Sequence, residues 1–504
     1  MTTTLKTTRH ATFGLMSLSL GFVLLSSIIN SQPAASQQKP VSKPTGKMVT
    51  DRSSESQKKS TATPVSKPQA QASTGSSVGA VPPAKEAAAK VSPTEATADT
   101  TKATQGIASH YRGGWQMFLH NPCHTGNSYI DMPPASQGRI KWTFPAEGPI
   151  DSSPAIYKGA IYFGSDDGHV YAVDEQNGKL LWRSKLGDKV KSSPAIGDGM
   201  LIVGCEDRKI YGLNNRDGKI IWSFETKDRV SSSPAVHEGV AYVGGWDGNL
   251  YALDAKSGQL RWQFPRAVES VTGAQDVTGT AAGEGTGAGT DTPPPAANAG
   301  ATSTSTQGIP QSSLGRITSS PCIAPGMVIV TAHNGNVYAL STRDGKLVWQ
   351  FRTGGKLMAS PMVLDHLVYF GSWDHAFYAV DLATGKQKWK TGAAESFSIA
   401  ATGTGGKIFA ANDDLKLYCL DAHSGKVLWK TPINSPVPLL SSSPAIAGNM
   451  LYCGSPDANV YAIDIRNGAI KWKLKTQRPI VSSPALTNGG VCIGSQDGNL
   501  YLIN

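Results

Sequence analysis

The chain has 504 residues, of which 39% are hydrophobic and 17% charged, and its formal net charge is +10. Residues 1–110 hold twelve Lys or Arg and five Asp or Glu, which places +7 of this charge in the tail and +3 in the remainder. The remainder has no basic stripe with interleaved aromatic residues. We therefore expect no nucleic-acid partner.

The N-terminal residues 1–30 predict an export signal. Lys6 and Arg9 precede an apolar run over 11–29, and small residues follow at 34–36. This order is typical of a cleaved signal peptide. The run is also nearly long enough to span a bilayer, so a retained signal anchor is the alternative. Both readings predict an exported protein, either periplasmic or membrane-anchored and facing the periplasm or exterior, with membrane contact only through this segment if it is uncleaved.

Residues 31–108 are rich in Ser, Thr, Ala, Pro and Lys and almost lack aromatic and large aliphatic residues. Such a composition buries too little apolar surface to offset the entropy lost on ordering. We predict a disordered spacer here.

The lead-in, residues 109–137, contains His120, Cys123 and His124, which invite a metal site. The three residues share one loop, no second pair of ligands stands nearby, and the second Cys of a haem-attachment motif is missing. The pattern favours a packed cap or plug segment, and we expect no metal.

From residue 138 the chain is organised by a repeat. The segment 154–182 recurs at 194–222 and 234–262, and each copy starts 40 residues after the last. A fixed period of this size indicates a repeat architecture. Eight units align on a shared Trp and on a shared Tyr, which we expect to pack between adjacent sheets. They are Trp142, Trp182, Trp222, Trp262, Trp349, Trp389, Trp429 and Trp472, and Tyr171, Tyr211, Tyr251, Tyr338, Tyr378, Tyr418, Tyr461 and Tyr501.

Each unit divides into four short segments, such as SSPAI, GAIYFGS, VYAVD and KLLW, separated by Asp-Gly and Asn-Gly turns. Such segments predict antiparallel strands, and four strands every 40 residues predict a propeller blade. We therefore predict an all-β, eight-bladed β-propeller over 138–504. The last unit ends after its third strand, whereas 138–144 matches a fourth strand, so we expect three-plus-one closure across the termini. Residues 266–315 interrupt the repeat with a Gly-, Thr-, Ala- and Pro-rich insertion that we predict to be disordered.

Little in the repeat indicates catalysis. The Ser-Ser-Pro copies resemble nucleophile candidates, but a residue present in nearly every unit favours an architectural role. The Asp or Asn at each second turn is expected to bond backbone amides in its own hairpin. The six cysteines form no CxxC, vicinal pair or zinc spacing, which favours buried free thiols over disulfides. We expect no catalytic residue, no cofactor and no enzyme activity.

Function should lie where the units differ. Trp246 and Trp373 precede the turn Asp, where other units carry polar residues or Pro, and such Trp residues are candidate hot spots. Packing against a neighbouring blade's loop is the alternative. The segments that lead into the first strands carry further candidates for interaction, with a solvated charged face as the alternative. These are Lys189, Lys191, Arg229, Lys356 and Arg478.

The repeat, with its SSPA start, GS-DG turn, YA-D strand and terminal Trp, resembles the PQQ-like (quinoprotein) β-propeller repeat family over residues 138–504. The lead-in WQMFLHNPCHTG resembles the segment before the propeller in exported members, and BamB-like proteins are the nearest archetype. The resemblance implies an eight-bladed, non-catalytic scaffold that binds envelope proteins, in outer-membrane protein assembly or another envelope complex. This chain departs from that archetype because it lacks a lipidation Cys and carries the long spacer and the insertion.

Two other functions stay open. A membrane-tethered ligand-binding or sensor ectodomain differs from the scaffold only in its partner. A PQQ-dependent dehydrogenase is the less favoured alternative, because members of that class typically have a vicinal Cys-Cys pair and Glu, Asn and Asp ligands for calcium. The sequence has no Cys-Cys pair and no dedicated acidic cluster outside the repeat turns.

Overall fold

The computed structural model describes residues 116–121, 123–126, 135–265, 314–433, 442–488 and 490–504. The predicted signal or anchor (1–30), the predicted spacer (31–108) and residues 266–313 of the predicted insertion lie outside these ranges. Within the ranges the protein is all-β, and no helix there has the length and apolar character needed to cross a membrane.

The strands form eight four-stranded antiparallel sheets, the blades of an eight-bladed β-propeller, which confirms the predicted fold class. Blade 1 contains β2–β5, blade 2 β6–β9, blade 3 β10–β13, blade 4 β14–β17, blade 5 β18–β21, blade 6 β22–β25, blade 7 β26–β29, and blade 8 β30–β32 with β1. The strand bounds of β1 and of blades 1 to 4 are β1 Ile140–Pro145; β2 Ala155–Tyr157, β3 Ala160–Gly164, β4 His169–Asp174, β5 Leu180–Lys185; β6 Ala195–Gly197, β7 Met200–Cys205, β8 Lys209–Asn214, β9 Ile220–Glu225; β10 Ala235–His237, β11 Val240–Gly244, β12 Leu250–Asp254, β13 Leu260–Phe264; β14 Cys322–Ala324, β15 Met327–Thr331, β16 Asn336–Ser341 and β17 Leu347–Arg352.

The bounds in blades 5 to 8 are β18 Met362–Leu364, β19 Leu367–Ser372, β20 Ala376–Asp381, β21 Gln387–Gly392; β22 Thr402–Thr404, β23 Lys407–Asn412, β24 Lys416–Asp421, β25 Val427–Pro432; β26 Ala445–Ala447, β27 Met450–Gly454, β28 Asn459–Asp464, β29 Ile470–Lys475; β30 Ala485–Thr487, β31 Gly490–Gly494 and β32 Asn499–Ile503.

The core lies between neighbouring blades rather than inside any one sheet. The second strand of blade 1, β3, is buried along its whole length, and the outermost strand, β5, alternates exposed and half-buried residues. Middle strands with both faces covered have nearly continuous apolar sequences, whereas edge strands alternate between exposed and partly buried residues. Apolar residues of blade 1, such as Tyr162, pack in one cluster with residues of blade 2, such as Val203. The six cysteines are buried free thiols, as expected.

The repeated Trp ties each outermost strand to the next blade. Trp182 in blade 1 donates its indole Nε1–H to the carbonyl of Asn215 in blade 2, at 3.2 Å. Trp142 and Trp222 make the same bond to Glu175 and Ala255, and Trp262, Trp349, Trp389 and Trp472 follow the pattern. The exception is Trp429 of blade 6, whose buried Nε1 has no acceptor among the described residues.

The repeated Tyr and the repeated turn residue fix the second hairpin of every blade. Tyr211 donates its hydroxyl to the carboxylate of Asp207 at 2.6 Å, and the other carboxylate oxygen accepts the backbone N–H of Lys209 at 3.1 Å. In blade 4 the residue is Asn334, whose amide donates to Tyr338 at 2.8 Å. An Asx side chain at this position stabilises a tight turn. Four of the turn Asp residues also accept a backbone N–H from the loop that leads into their blade.

The repeated serines form a ring around the channel. The backbone N–H of Ser153 donates to the hydroxyl of Ser193 in the next blade at 3.0 Å, and Ser193 does the same to Ser233. The bond recurs from blade 3 to 4, 4 to 5, 7 to 8 and 8 to 1. In blade 6 the position is Ala400, which has no hydroxyl, so the ring is interrupted there. The first serine of each pair holds its own blade, as Ser152 accepts the N–H of Gly164 at 3.1 Å.

Blade 8 is closed by the N-terminal side of the propeller, as predicted. Strand β1 pairs antiparallel with β32, with Thr143 opposite Tyr501 and Pro145 opposite Asn499. Arg139 and Asn504 add two backbone hydrogen bonds beyond the ladder, at 3.2 and 2.9 Å. The closure removes the open edge of β32, which would otherwise be free to pair with another chain.

Candidate functional site

The two ends of the channel differ, because all eight inner strands run in the same direction. We call the end at which the inner strands begin the upper face. Three positions recur there, and in blade 3 they are Arg229, Ser231 and Trp246. The N–H of Trp246 donates to the carbonyl of Arg229 at 3.0 Å, and the same bond joins His333 to Arg316 and Trp373 to Lys356. Each of these three blades thus places two variable side chains together beside the mouth.

The other end of the channel is crossed by residues 116–121 and 123–126, which we call the plug segment. The inner-strand N–H of Ile196 in blade 2 donates to the carbonyl of Gln116 at 2.9 Å. On the far side, the N–H groups of Val363, Gly403 and Ile446 donate to Cys123, Thr125 and Gly126 at 3.0, 3.2 and 2.8 Å. The plug segment therefore joins blade 2 to blades 5, 6 and 7.

The His and Cys residues of the plug segment are structural. His124 bonds through Nδ1 to the carbonyl of Pro361 at 2.9 Å, and the Cys123 thiol donates to the carbonyl of Ile323 at 3.2 Å. Burial lowers the pKa of both His120 and His124 to about 4, since the charged imidazolium is poorly solvated there. In the described parts of the chain, no three His, Cys, Asp or Glu side chains gather where they could hold a metal ion.

One sector of the upper face, in blades 1 and 2, is an ion-pair cluster. The Lys189 ammonium lies 3.1 Å from Asp166, and the Lys191 ammonium lies 3.7, 4.0 and 4.0 Å from Asp151, Asp166 and Glu206. The side chains of Asp166 and Glu206 are only 9% and 11% exposed. Burial raises the pKa of Asp166, the negative charge of Asp151 raises it further, and the two lysines oppose these effects. Here the charges largely satisfy one another.

A second sector, across blades 3, 4 and 5, is cationic and aromatic. We call it the cationic arc, and its members are Arg229, Trp246, Arg316, His333, Lys356 and Trp373. The guanidinium carbons of Arg229 and Arg316 lie 5.8 and 4.4 Å from the Trp246 ring centre, and the Lys356 ammonium lies 6.0 Å from that of Trp373. Trp246 is held by a 2.7 Å bond from Nε1 to the Ser231 hydroxyl. The three cations are exposed and the two indoles half-buried.

His333 sits inside the arc with its Nε2 2.9 Å from the Thr318 hydroxyl. Its pKa is lowered to about 4, first by burial and then by the positive charges of Arg316 and Lys356. The imidazole is therefore neutral at ordinary pH and lies between two cations.

Blade 6 marks the end of the arc with a change of sign. The carboxylate of Asp413 accepts a hydrogen bond from the Ser398 hydroxyl. Burial raises the pKa of Asp413 to about 6, and the nearby Glu395 and Asp414 add to this effect. The upper face therefore has one cationic sector flanked by residues that carry carboxylates.

The structure brings together most of the residues predicted for interaction, in two groups. Arg229 joins Trp246 and Lys356 joins Trp373 in the arc, whereas Lys189 and Lys191 belong to the ion-pair cluster. Arg478 lies at neither recurring position, because it precedes the unit's Pro by six residues where Lys189 precedes it by five. Trp246 also contacts the neighbouring blade, through Arg316.

Arg316 is the residue that sequence reasoning missed. It directly follows the predicted insertion 266–315, which hides its register with the earlier units. Alignment on Pro321 would have found it, since Arg316 stands five residues before that Pro, as Arg229 does before Pro234.

The paired serines of the serine ring are not arranged as activated nucleophiles. The hydroxyls of the paired serines accept or donate bonds to backbone groups of their own or neighbouring blades, as with Ser192, which accepts from Gly204 and donates to the carbonyl of Ser232. An activated serine needs an adjacent base, and here its partners are backbone amides and carbonyls.

Comparison with known proteins places this fold among relatives. A family model described as outer membrane protein assembly factor BamB matches residues 127–288, 297–397 and 379–504. A search of curated proteins gave no match.

Several solved structures share the fold at low sequence identity. BamB from Moraxella catarrhalis is 18% identical with a TM-score of 0.56, covering 72% of this chain and 99% of its own. A europium-containing methanol dehydrogenase is 15% identical with a TM-score of 0.60, covering 79% and 92%. The quinohemoprotein alcohol dehydrogenase from Comamonas testosteroni is 13% identical with a TM-score of 0.60, covering 81% and 83%.

Proposed function

The chain belongs to the family described as outer membrane protein assembly factor BamB, and from this premise we propose that it is a non-catalytic, protein-binding scaffold of the cell envelope. Its partner is an envelope protein, in outer-membrane protein assembly or another envelope complex. The upper face is the binding surface. The export signal predicted in residues 1–30 supports the location, and a retained anchor would tether the propeller on the outer side of a membrane.

The observation that carries this proposal is the contrast between the two ends of the channel. The plug segment fills one end with buried, backbone-bonded residues, whereas the other end displays side chains that differ from blade to blade. Interaction hot spots are enriched in Trp and Arg, and the cationic arc places Trp246 beside Arg229 and Arg316. The residues shared by the blades stabilise the propeller, and the variable residues of the upper face are therefore available for recognition.

The dehydrogenase alternative requires PQQ with a calcium ion, and the carboxylates that gather on the upper face, among the described residues, do not fit the calcium ion. Asp151, Asp166 and Glu206 form a group of three carboxylates on the upper face, and the Lys191 ammonium already lies 3.7–4.0 Å from each of them. A calcium site needs six to eight oxygen ligands around an open centre. The sensor alternative uses the same surface and differs only in what occupies it.

Site-specific photocrosslinking in the cell tests the scaffold. A photoreactive residue at exposed Lys227, on the upper face, should crosslink an envelope protein. Matched positions are Lys158, in the first hairpin on the plugged face, and Lys473, on the outermost strand of blade 7. If Lys227 captured no envelope protein beyond those from the two matched positions, the scaffold proposal would be wrong. Addition of PQQ with calcium should leave the melting temperature unchanged, and a rise would favour the dehydrogenase.

A further inference from the structure

We propose that the cationic arc binds an acidic, extended segment of the partner protein, with side-chain carboxylates of that segment paired to Arg229, Arg316 and Lys356. This inference rests on the proposed scaffold function and deepens it by naming the chemistry of the recognised segment.

Ion pairing is uneven across the upper face. Among the residues that the structure describes, Arg229, Arg316 and Lys356 form no ion pair, whereas Lys189 and Lys191 on the same face are paired with carboxylates. Asp247 is the turn residue next to Trp246. Its carboxylate accepts hydrogen bonds from the Tyr251 hydroxyl and from the backbone N–H groups of Asn249 and Lys227. The carboxylates of Asp228, Asp247 and Asp374 lie in the same sector, but none of them forms an ion pair with the three cations. Three neighbouring cations that form no ion pair favour an anionic partner.

The cations of the cationic arc are also restrained before a partner binds. A guanidinium held against an indole ring is stabilised by the ring's negative face, and its N–H groups point outward in its own plane. Arg316 lies 4.4 Å from the Trp246 ring centre, and Trp246 is itself held by Ser231. A side chain restrained in this way loses less entropy on binding a carboxylate in a two-pronged pair.

The cationic arc also contains a hydrogen-bond donor that has no acceptor among the described residues. Trp373 occupies the position of Trp246, but its Nε1–H is buried without an acceptor in the described part of the chain. The reason is local, because Met358 stands where blade 3 has Ser231. Because this Nε1–H is buried, a carbonyl or carboxylate of the bound segment becomes its acceptor only if the Trp373 indole turns toward the segment on binding.

The pattern of charge favours a narrow chain over a broad surface. The arc covers blades 3, 4 and 5, and carboxylates follow on both sides, at Asp413 in blade 6 and at Glu206 in blade 2. A flat anionic membrane or a nucleic-acid duplex would meet these carboxylates as well as the cations, at an electrostatic cost. An extended segment can follow the arc alone. A glycan is disfavoured because cations already lie over the indole rings on which a sugar would stack.

Fluorescence anisotropy with the full chain tests this. The probe is a labelled twelve-residue peptide of alternating Glu and Ser, and the matched peptides replace Glu by Gln or by Lys. We expect the Glu peptide alone to bind, and to bind more weakly as salt is raised. The variant Arg229→Glu/Arg316→Glu/Lys356→Glu should lose at least tenfold in affinity. Lys179→Glu/Arg343→Glu/Lys473→Glu makes the same change of charge at exposed outer positions and should bind as the unmodified chain does.

The conservative variant Arg316→Lys keeps the charge and removes the two-pronged geometry. Its affinity for the Glu peptide should therefore fall between those of the unmodified chain and the triple variant of the arc. Melting temperatures of all variants establish that they fold. Equal affinity of the two triple variants, or equal binding of the Gln peptide, would overturn the proposal. So would arc-dependent binding of phosphatidylglycerol vesicles in place of the peptide. Peptide binding that appeared only after deletion of residues 267–312 would make the chain's own insertion the occupant, and would equally overturn it.

The two proposals fail separately. A partner that crosslinks from Lys227 equally well in the arc variant would leave the scaffold standing and reject the acidic segment. Loss of every specific crosslink from the upper face would reject the scaffold itself.

Discussion

Gly218 and Trp182 show how single residues lock one blade to the next. Gly218 lies in the turn between β8 and β9 with φ of +72°, and a Cβ there would lie 2.5 Å from both the Trp182 ring and the Ser184 hydroxyl. Trp182 in turn bonds the carbonyl of Asn215 in the same turn. The glycine is thus required twice, for its backbone conformation and for the indole that covers it.

Gly218→Ala and Gly199→Ala separate these two requirements. Gly199 has φ of +82° but no atom within 4 Å of the place where a Cβ would stand. Strain in the left-handed region costs about 1–2 kcal/mol in both variants, and the collision in Gly218→Ala adds about 1–3 kcal/mol. Denaturant unfolding should therefore show the larger loss for Gly218→Ala. Equal losses would mean that the indole contact contributes nothing to the stability of the ring.

The roles of residues that recur in every blade could be predicted from the sequence, whereas the roles of residues that occur in one blade could not. The shared Trp, Tyr and turn Asp stand at a fixed spacing, so eight copies expose their role even though no copy states its partner. The partner carbonyls are backbone groups and leave no sequence signal. Arg316 and Met358 act once, in one blade, and their effect on Trp246 and Trp373 follows from a contact between elements that periodicity does not report.

At the scale of elements, the plug segment is the part that the sequence described least. Its lead-in position predicted a cap or plug. Its course from blade 2 to blades 5, 6 and 7 could not be predicted, because one unrepeated segment offers no register against the inner strands. Two buried, neutral histidines make its stability depend on pH.

Acidification should loosen the plug segment. The folded-state pKa of His120 and His124 is about 4, below the model-peptide value of 6.5, so the unfolded chain binds more protons between these values. Stability is then fully present above about pH 6.5 and falls as pH drops towards 4, by about 2–3 kcal/mol for each group. His333 acts in the same direction. Asp413, whose folded pKa of about 6 is raised, opposes it.

The variant His124→Asn isolates one of these contributions. Asn keeps a donor for the Pro361 carbonyl and cannot be protonated in this range. Calorimetry at pH 7 and pH 4.5 should show a smaller drop in melting temperature for the variant than for the unmodified chain, with His333 and Asp413 common to both. The same drop in both proteins would contradict a role for His124 in the pH dependence.

At the scale of the whole molecule, the ring contains eight contacts between neighbouring blades, and the two that involve blade 6 are weaker than the other six. Ala400 interrupts the serine ring, and the Trp429 indole lacks the acceptor that its counterparts have. The number of blades and their closure could be predicted, because both depend on counting units. The weak junctions needed the structure, since the Ser-to-Ala change is visible in the sequence but the hydrogen bond that it removes is not.

Closure by β1 should decide whether the ring folds cooperatively. A chain of residues 147–504 lacks β1, and the matched chain of residues 135–504 keeps it; neither has the plug segment. The first should aggregate and unfold over a broad range, because β32 has a free edge, whereas the second should unfold in one transition. A synthetic peptide of residues 135–146 should restore the first in a concentration-dependent manner. Identical unfolding of both chains would show that β1 is dispensable.

The pairing of β1 with β32 also sets the order in which the protein can be made. A chain leaves a ribosome or a translocation channel with its N-terminus first, so β1 appears before any blade and waits for a partner at the other end of the propeller. Blades 1 to 7 can form from local hairpins during this time, while β1 remains an unpaired strand. Emergence of β32, rather than formation of any single blade, is therefore the event that permits the native ring, and until then β1 needs protection from other chains.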